Sequence, residues 1–178
     1  LSGLGGDTQI GKTRVNLGAS TPLGQTGFRL RGEAEVGAVY GVSGDKTRVT
    51  DRFTLGGGSL RGFEAGTVSP RDTCATCRAG GSIVGGEQYA TLRAELVFSD
   101  AFNFENFDVA AFADAGTVWS LSDAPAAIDD RLDWRNSAGV SASFGSEFGR
   151  FEAYYALHVD GQPNDSIDRF GISFNRGF

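Results

Sequence analysis

The chain has 178 residues, enough for one domain with a moderate hydrophobic core. Its net charge of -6 and its dispersed basic residues argue against a nucleic-acid-binding protein. The longest apolar run covers only residues 109–113, which excludes a transmembrane helix. The absence of such a run does not exclude a transmembrane β-barrel, because the strands of a barrel alternate and contain no long apolar run.

The composition predicts β structure with many tight turns. Glycine is abundant at 27 residues and phenylalanine at 14, whereas proline is scarce at 4. The sequence shows no signal peptide and starts at Leu1 rather than at methionine. We interpret it as a mature product or a fragment.

Alternation of apolar and polar side chains predicts seven strands of roughly 10 to 14 residues. They are joined alternately by short turns and by long loops, the longest of which is 42–86. Two segments, 22–27 and 100–106, are expected to be short turns, and a third turn is expected at Gly149 and Arg150. The predicted strands are 10–23, 28–41, 87–99, 107–120, 133–148, 151–160 and 166–178.

The two faces of these strands differ in chemistry. In the third strand, for example, Leu92 and Leu96 share one face, whereas Arg93 and Glu95 share the other. A purely apolar face opposite a charged one suits a strand between lipid and a water-filled lumen, and transmembrane strands need ~9–11 residues. A soluble β-sandwich also alternates and stays as the alternative, although its strands are usually about five or six residues long.

The stretch 55–71, LGGGSLRGFEAGTVSPR, stands out within the long loop. Three successive glycines, 56–58, favour close backbone approach or a positive φ. Arg61 carries a permanently charged planar group, and Gly62 lets the chain turn beside it. The stretch is not a phosphate-binding loop, because no Lys-Ser/Thr follows and no strand-to-helix context exists. A loop of this kind in a β protein is predicted to be functional.

Four segments together resemble the Omp85 superfamily. SLRGF (59–63) with SPRD (69–72) resembles its sixth extracellular loop, and FADAGTVW (112–119) resembles its strand-borne DAG segment. Residues 136–148 and 151–157 resemble its penultimate hairpin, and the aromatic-terminated last strand resembles its β-signal. Within the superfamily the likeness is greatest to the bacterial barrel-assembly subunit and its mitochondrial counterpart.

The resemblance implies an all-β fold: an antiparallel transmembrane β-barrel of 16 strands that follows soluble POTRA repeats. Residues 1–178 then form the C-terminal part, about seven strands with a long inward-folded loop and no POTRA repeats. Seven strands cannot close such a barrel, and open edges are not tolerated in lipid. We therefore expect the remaining strands to come from another chain or from a missing part of the same chain.

The resemblance also implies site residues. The loop-anchoring motif comprises Arg61, Gly62, Phe63, Glu95 and Asp114, with Arg61 inside the lumen against the two inward-facing carboxylates. The terminal-strand signal is Phe170, Gly171, Ile172, Phe174 and Phe178.

Other candidate sites are weak. Cys74 and Cys77 form a C-x-x-C pair, but a zinc site needs four ligands and His158 lies far away in the sequence, so no metal site is predicted. A local disulfide between Cys74 and Cys77, or two inert thiols, are the alternatives. His158 is interpreted as a lumen-facing polar residue, since no nucleophile has a recognisable spacing to it. The sequence therefore predicts neither an enzyme nor a cofactor.

The function implied by the resemblance is assembly and insertion of β-barrel proteins in an outer membrane. The membrane is expected to be that of a Gram-negative bacterium, with a mitochondrial or plastid outer membrane as the alternative. The expected partners are the lipid bilayer, unfolded β-barrel clients and accessory assembly subunits. A polypeptide-secretion pore of the two-partner type and a soluble β-sandwich binding module are the competing functions.

Overall fold

The computed structural model describes residues 9–42, 45–72, 81–121 and 128–175. In chain order the strands are β1 (Ile10–Pro22), β2 (Phe28–Gly41), β3 (Gly62–Phe63), β4 (Arg71–Asp72), β5 (Ser82–Ile83), β6 (Gln88–Phe98), β7 (Phe107–Trp119), β8 (Ile128–Asp129), β9 (Arg135–Ser146), β10 (Gly149–Asp160), β11 (Ile167–Asp168) and β12 (Phe170–Asn175). Three short 3₁₀ segments lie at Val49–Asp51, Gly57–Ser59 and Ala101–Asn103. None of the described residues belongs to a helix long and apolar enough to cross a membrane.

Seven of these strands form one antiparallel sheet in the order β1-β2-β6-β7-β9-β10-β12. The all-β, antiparallel prediction with seven main strands is therefore confirmed. Short turns follow β1, β6 and β9, all at the same end of the strands, which we call the short-turn end. The longer connections leave from the opposite end of the strands, which we call the long-loop end. A β-sandwich would need a second sheet packed on this one, and among the described residues the two further sheets have only two and three short strands.

Most predicted strand boundaries agree with the structure to within two residues, but two predictions are wrong. The last strand does not run from residue 166, because Ile167 and Asp168 form β11 and pair with β3 of the long loop. The strand that joins the sheet, β12, begins at Phe170. The predicted turn at Gly149 and Arg150 lies two residues earlier, at 147–148, and Gly149 opens β10. Alternation alone does not reveal where a chain changes its pairing partner.

The sheet has two unlike faces, as the alternation predicted. On β6, Leu92 and Leu96 are exposed whereas Tyr89 and Glu95 are buried. The apolar face, which we call the outer face, is exposed along the whole sheet. Its large exposed side chains include Val15, Leu17, Leu30, Val36, Leu92, Leu96, Val140, Phe144, Leu157 and Ile172.

The long loop folds back across the opposite, inner face and makes the main hydrophobic core there. Isolated bridges join Leu55 to Val68 and Phe53 to Gly86 inside the loop. Apolar loop side chains then pack against residues of β2, β6 and β7. This cluster comprises Val39, Phe53, Leu55, Leu60, Phe63, Val68, Tyr89 and Val118. More than half of the buried hydrophobic residues in the described part of the chain therefore belong to the cluster that fixes the loop against the sheet.

Candidate functional site

The glycine-rich turn before Arg61 is built from specific backbone requirements. Gly56 has a φ of 123° and Gly57 a φ of 58°, values that side-chain-bearing residues rarely adopt. At Gly56 a Cβ atom would collide with the backbone of Glu64. The Ser59 hydroxyl closes the turn, donating to the Gly56 carbonyl (2.8 Å) and accepting from the Gly56 N–H (3.0 Å). Gly58 has neither a positive φ nor a close neighbour, so only the first two glycines are required by the geometry.

Arg61 lies at the centre of the site and is almost completely buried, with 3% of its surface exposed. Its Nε and Nη2 atoms donate to the two carboxylate oxygens of Asp114 on β7, both at 2.7 Å. Nη1 donates to Glu95 on β6 at 2.8 Å and to Glu152 on β10 at 3.1 Å. A two-point Arg–carboxylate pair fixes orientation as well as distance. Arg61 thus joins the loop to three strands at once.

The ring of Phe112 forms the floor beneath the guanidinium. The Cζ atom of Arg61 lies 3.6 Å from the ring centroid, a cation–π contact. Phe112 faces Gly139 across the β7–β9 ladder, where an added Cβ would come within 2.7 Å of the ring. The ring can lie over the neighbouring strand because that strand has no side chain there.

The FADAG segment has two separate roles in this geometry. Asp114 supplies the paired carboxylate, and Gly116 supplies space. A Cβ on Gly116 would come within 3.0 Å of Leu55 and 3.1 Å of Leu60. Close packing of these two leucines on β7 therefore depends on the glycine, while the carboxylate two residues earlier holds the arginine.

Two further arginines balance the carboxylates. Arg31 contacts Glu95 at 3.1 Å, and Arg93 lies 3.6 Å from Asp114. Arg93 also donates to the carbonyl of Gly58 at 3.0 Å, a second tie between sheet and loop. Burial opposes the charge on Arg61, but the hydrogen bonds and charges of Asp114 and Glu95 outweigh it and raise the pKa of the guanidinium. We call Arg61 with its partners Asp114, Glu95 and Glu152 the Arg61 clamp. It is permanently charged and is suited to holding the loop rather than to proton transfer.

Gly62 and Phe63 connect the clamp to the end of the chain. Gly62 has a φ of 90°, and an added Cβ would lie 3.1 Å from Ser137 and 3.2 Å from Ala156. Phe63 is fully buried and pairs with Ile167 of β11. Glu64 donates its N–H to the Ser166 carbonyl at 2.9 Å. These contacts explain why residues 166–168 leave the sheet, whereas the Arg169 carbonyl again accepts from Ala156 of β10 at 2.8 Å.

The structure brings Arg61, Glu95 and Asp114 into direct contact, with Gly62 and Phe63 beside them. Phe170, Ile172 and Phe174 lie exposed on the outer face of β12, and Gly171 lies under the ring of Tyr154 on the inner face. His158 pairs with Ser137 in the β10–β9 ladder. Cys74, Cys77 and Phe178 fall outside the described residues. Among the residues that are described, no three His, Cys, Asp or Glu side chains form a group able to hold a metal ion.

Sequence reasoning missed Glu152, Phe112, Arg31 and Arg93 as members of the site. Alternation along β10 could have placed Glu152 on the inner face, because Glu152 shares its face with the buried Tyr154. The other three depend on the cross-strand register. Glu95 faces Arg31 in that register and Asp114 faces Arg93, and neither pairing follows from sequence separation.

The whole chain, residues 1–178, matches the Omp85 superfamily domain. It belongs to the Omp85 superfamily. The predicted resemblance is therefore confirmed, and the loop and DAG segments that form the clamp are parts of an Omp85 domain.

Relatives of this Omp85 chain include the outer membrane protein assembly factor BamA of Neisseria meningitidis serogroup B. The two are 28% identical over an alignment of 181 positions, which covers 88% of this chain and 22% of the relative. A SAM50-like protein of Schizosaccharomyces pombe is 29% identical over 152 residues, covering 81% of this chain and 30% of the relative. The chain thus spans less than a third of the length of either protein.

The fold has a counterpart among solved structures. The crystal structure of BamA from Haemophilus ducreyi lacking POTRA domains 1–3 superimposes with a TM-score of 0.79 at 23% identity. The match covers 95% of this chain and 35% of that one. The sheet described above therefore has the arrangement of part of that structure.

Proposed function

We propose that this chain is the C-terminal part of an outer-membrane barrel that assembles and inserts β-barrel proteins. The observation that carries the proposal is the Arg61 clamp, which holds the loop against one wall of an Omp85 sheet. The similarity to an assembly factor and to a SAM50-like protein supports the same activity. The work requires no cofactor and no bond chemistry.

The two faces of the sheet support a place in the membrane. The outer face exposes a continuous apolar surface, which would be unfavourable in water but suits lipid. The inner face carries the charged clamp and the loop, as a wet lumen requires. Six of the seven main strands have 11 to 14 residues, enough to cross the hydrocarbon when tilted. We assign the chain to the outer membrane of a Gram-negative bacterium.

The two outermost strands support the idea that other strands complete the wall. Within the described residues, β1 pairs only with β2, and β12 pairs only with β10. In a complete barrel their free edges face strands that precede this chain or belong to another copy. The seam of the proposed barrel lies at the free edge of β12, whose described residues are Phe170–Asn175. A client strand can add to such a seam by β-augmentation.

The proposed role of Arg61, Gly62, Phe63, Glu95 and Asp114 is to hold the loop against the wall while that seam opens and closes. Phe170, Gly171, Ile172, Phe174 and Phe178 would act as the terminal-strand signal. Accessory assembly subunits and unfolded β-barrel clients are the partners of this activity.

The test is reconstitution of the complete protein into vesicles, followed by measurement of how fast an unfolded β-barrel client becomes resistant to protease and SDS. We expect faster client folding than in empty vesicles, and loss of that acceleration in the Asp114→Asn variant. In cells, depletion should lower many outer-membrane barrel proteins together. Unchanged barrel levels with loss of one secreted polypeptide would instead establish the two-partner secretion function.

A further inference from the structure

The short-turn end of the sheet carries an unusual concentration of phenylalanine. Six phenylalanines lie on the outer face, near the point where the main strands begin or end at the short-turn end. They pair across the ladders, with ring centroids 5.0 Å apart for Phe28 and Phe98 and 4.6 Å apart for Phe151 and Phe174. The six are Phe28, Phe98, Phe107, Phe144, Phe151 and Phe174.

Three more phenylalanines lie beyond the strand ends, in the turns themselves. Phe102 and Phe104 lie in the β6–β7 turn and are 76% and 67% exposed; Phe148, in the β9–β10 turn, is 78% exposed. The ring of Phe102 lies 6.5 Å from that of Phe107, so the turn residues continue the row on the strands. We call these three side chains the turn phenylalanines. These exposed side chains extend the apolar outer face beyond the ends of the strands.

The backbone of the β6–β7 turn is arranged to present them. Phe102 has a φ of 60° and a ψ of 23°, a left-handed conformation that glycine or asparagine adopts more cheaply than a bulky residue. The turn is nevertheless well formed, because the Asn106 N–H donates to Asp100 at 3.0 Å and the Phe104 N–H to the Ala101 carbonyl at 3.2 Å. An exposed aromatic side chain in this unfavourable backbone conformation is not explained by contact with water. It is explained if the side chain is buried in an apolar medium.

The chemistry of the aromatic residues differs between the two ends. Tyr40, Trp119 and Trp134 adjoin the long loops, and none of the chain's four tyrosines and two tryptophans lies in a short turn or beside one. Tyrosine and tryptophan favour the membrane–water interface because one end of the ring system is polar. Phenylalanine has no such group and is suited to hydrocarbon.

We propose that the β6–β7 and β9–β10 turns insert the turn phenylalanines into the hydrocarbon of the membrane. The lipid-facing surface then extends beyond the strand ends on this side. Lipid is favoured over a protein partner because the row is continuous with the outer face and contains only phenylalanine. The acidic neighbours Glu105 and Glu147 then reach the headgroup level. The inference rests on the proposed membrane location.

The experiment places a polarity-sensitive fluorophore on single cysteines at positions 102, 148, 105 and 172, one variant each. The complete protein is used, with Cys74, Cys77 and any other cysteine replaced by serine, in phosphatidylcholine vesicles. Phe102→Cys and Phe148→Cys test the turns. Glu105→Cys is the matched control in the same turn, and Ile172→Cys reports the outer face of β12. The readouts are the emission maximum and quenching by phosphatidylcholine brominated on its acyl chains.

We expect labels at 102 and 148 to emit further to the blue than the label at 105 and to be quenched by the brominated lipid, as at 172. If the labels at 102, 148 and 105 are all neither blue-shifted nor quenched while the label at 172 is quenched, the turns lie in water and the inference is overturned. Blue-shifted emission without quenching would mean that protein covers the turns, which also overturns it. Failure of quenching at 172 as well would instead overturn the membrane location itself.

Discussion

Two arginine–carboxylate pairs on the inner face invite comparison. Arg61 and Asp114 approach to 2.7 Å, and so do Arg150 and Asp108. In the first pair the side chains are 3% and 2% exposed; in the second they are 39% and 12% exposed. Arg61 also contacts Glu95 and Glu152, whereas Arg150 has Ser143 as its other side-chain hydrogen-bond partner.

Equal distances therefore conceal unequal consequences. Removing one partner of a buried pair leaves a desolvated charge behind, which costs about 3–5 kcal/mol. Water replaces the lost partner of an exposed pair, so its removal costs roughly 0–1 kcal/mol. The two pairs also differ in what they join. Arg61 connects a loop to the sheet, whereas Arg150 and Asp108 connect strands that the ladders already hold together.

The largest effect is expected for Arg61→Ala. Asp114 and Glu95 would lose their buried cation and keep only the more exposed Arg93 and Arg31. The free energy of opening the loop should therefore fall by up to about 3–5 kcal/mol. Amide hydrogen exchange of residues 55–68 in the reconstituted complete protein measures that energy. The strands β6 and β7 serve as the internal control and should keep their protection. Equal protection of the loop in variant and parent would show that Arg61 does not anchor it.

Arg61→Lys should lie between the parent and the alanine variant. An ammonium keeps the charge but cannot pair with both oxygens of Asp114 while also reaching Glu95. Losing hydrogen bonds to charged groups predicts a destabilisation of about 1.5–3 kcal/mol. The same exchange measurement gives the ranking. Full recovery by lysine would mean that charge alone, not the planar geometry, holds the loop.

Gly62→Ala tests the backbone rather than the charge. The residue has a φ of 90°, and the new Cβ would press on Ser137 and Ala156 at 3.1 and 3.2 Å. We expect a cost of about 1–2 kcal/mol for the backbone conformation, plus any strain from the contacts. Gly58→Ala is the matched control, since nothing lies within 4 Å of its added Cβ. If both variants lower loop protection equally, the conformation at Gly62 is not the cause.

Much of this architecture could be predicted from the sequence, for a physical reason. Two-residue alternation records which medium each side chain faces, so the sequence alone predicts the faces of Leu96 and Glu95. Arg61, Glu95 and Asp114 were linked through the family resemblance and the shared parity of the two acids.

The rest depends on information that alternation does not contain. Ile167 and Asp168 alternate like strand residues, yet they pair with Gly62 and Phe63 rather than with β10. Their partner is set by the burial of Phe63, more than a hundred residues earlier in the chain. Glu152 reaches Arg61 only because the loop crosses the sheet as far as β10, a path that no local pattern shows.

The smallest effect is expected for Arg150→Ala, which completes the comparison. Arg150 is partly exposed, and the ladder of β9 and β10 continues on both sides of it. Its removal should change stability by roughly 0–1 kcal/mol and leave exchange in the loop unaltered. High salt should weaken the parent pair in the same way, because exposed charges are screened. The check is urea unfolding of the complete protein from vesicles, with Arg61→Ala measured alongside. The two pairs have the same distance and differ in burial. If Arg150→Ala lowered the free energy of unfolding as much as Arg61→Ala does, burial would not determine how much these pairs contribute to stability.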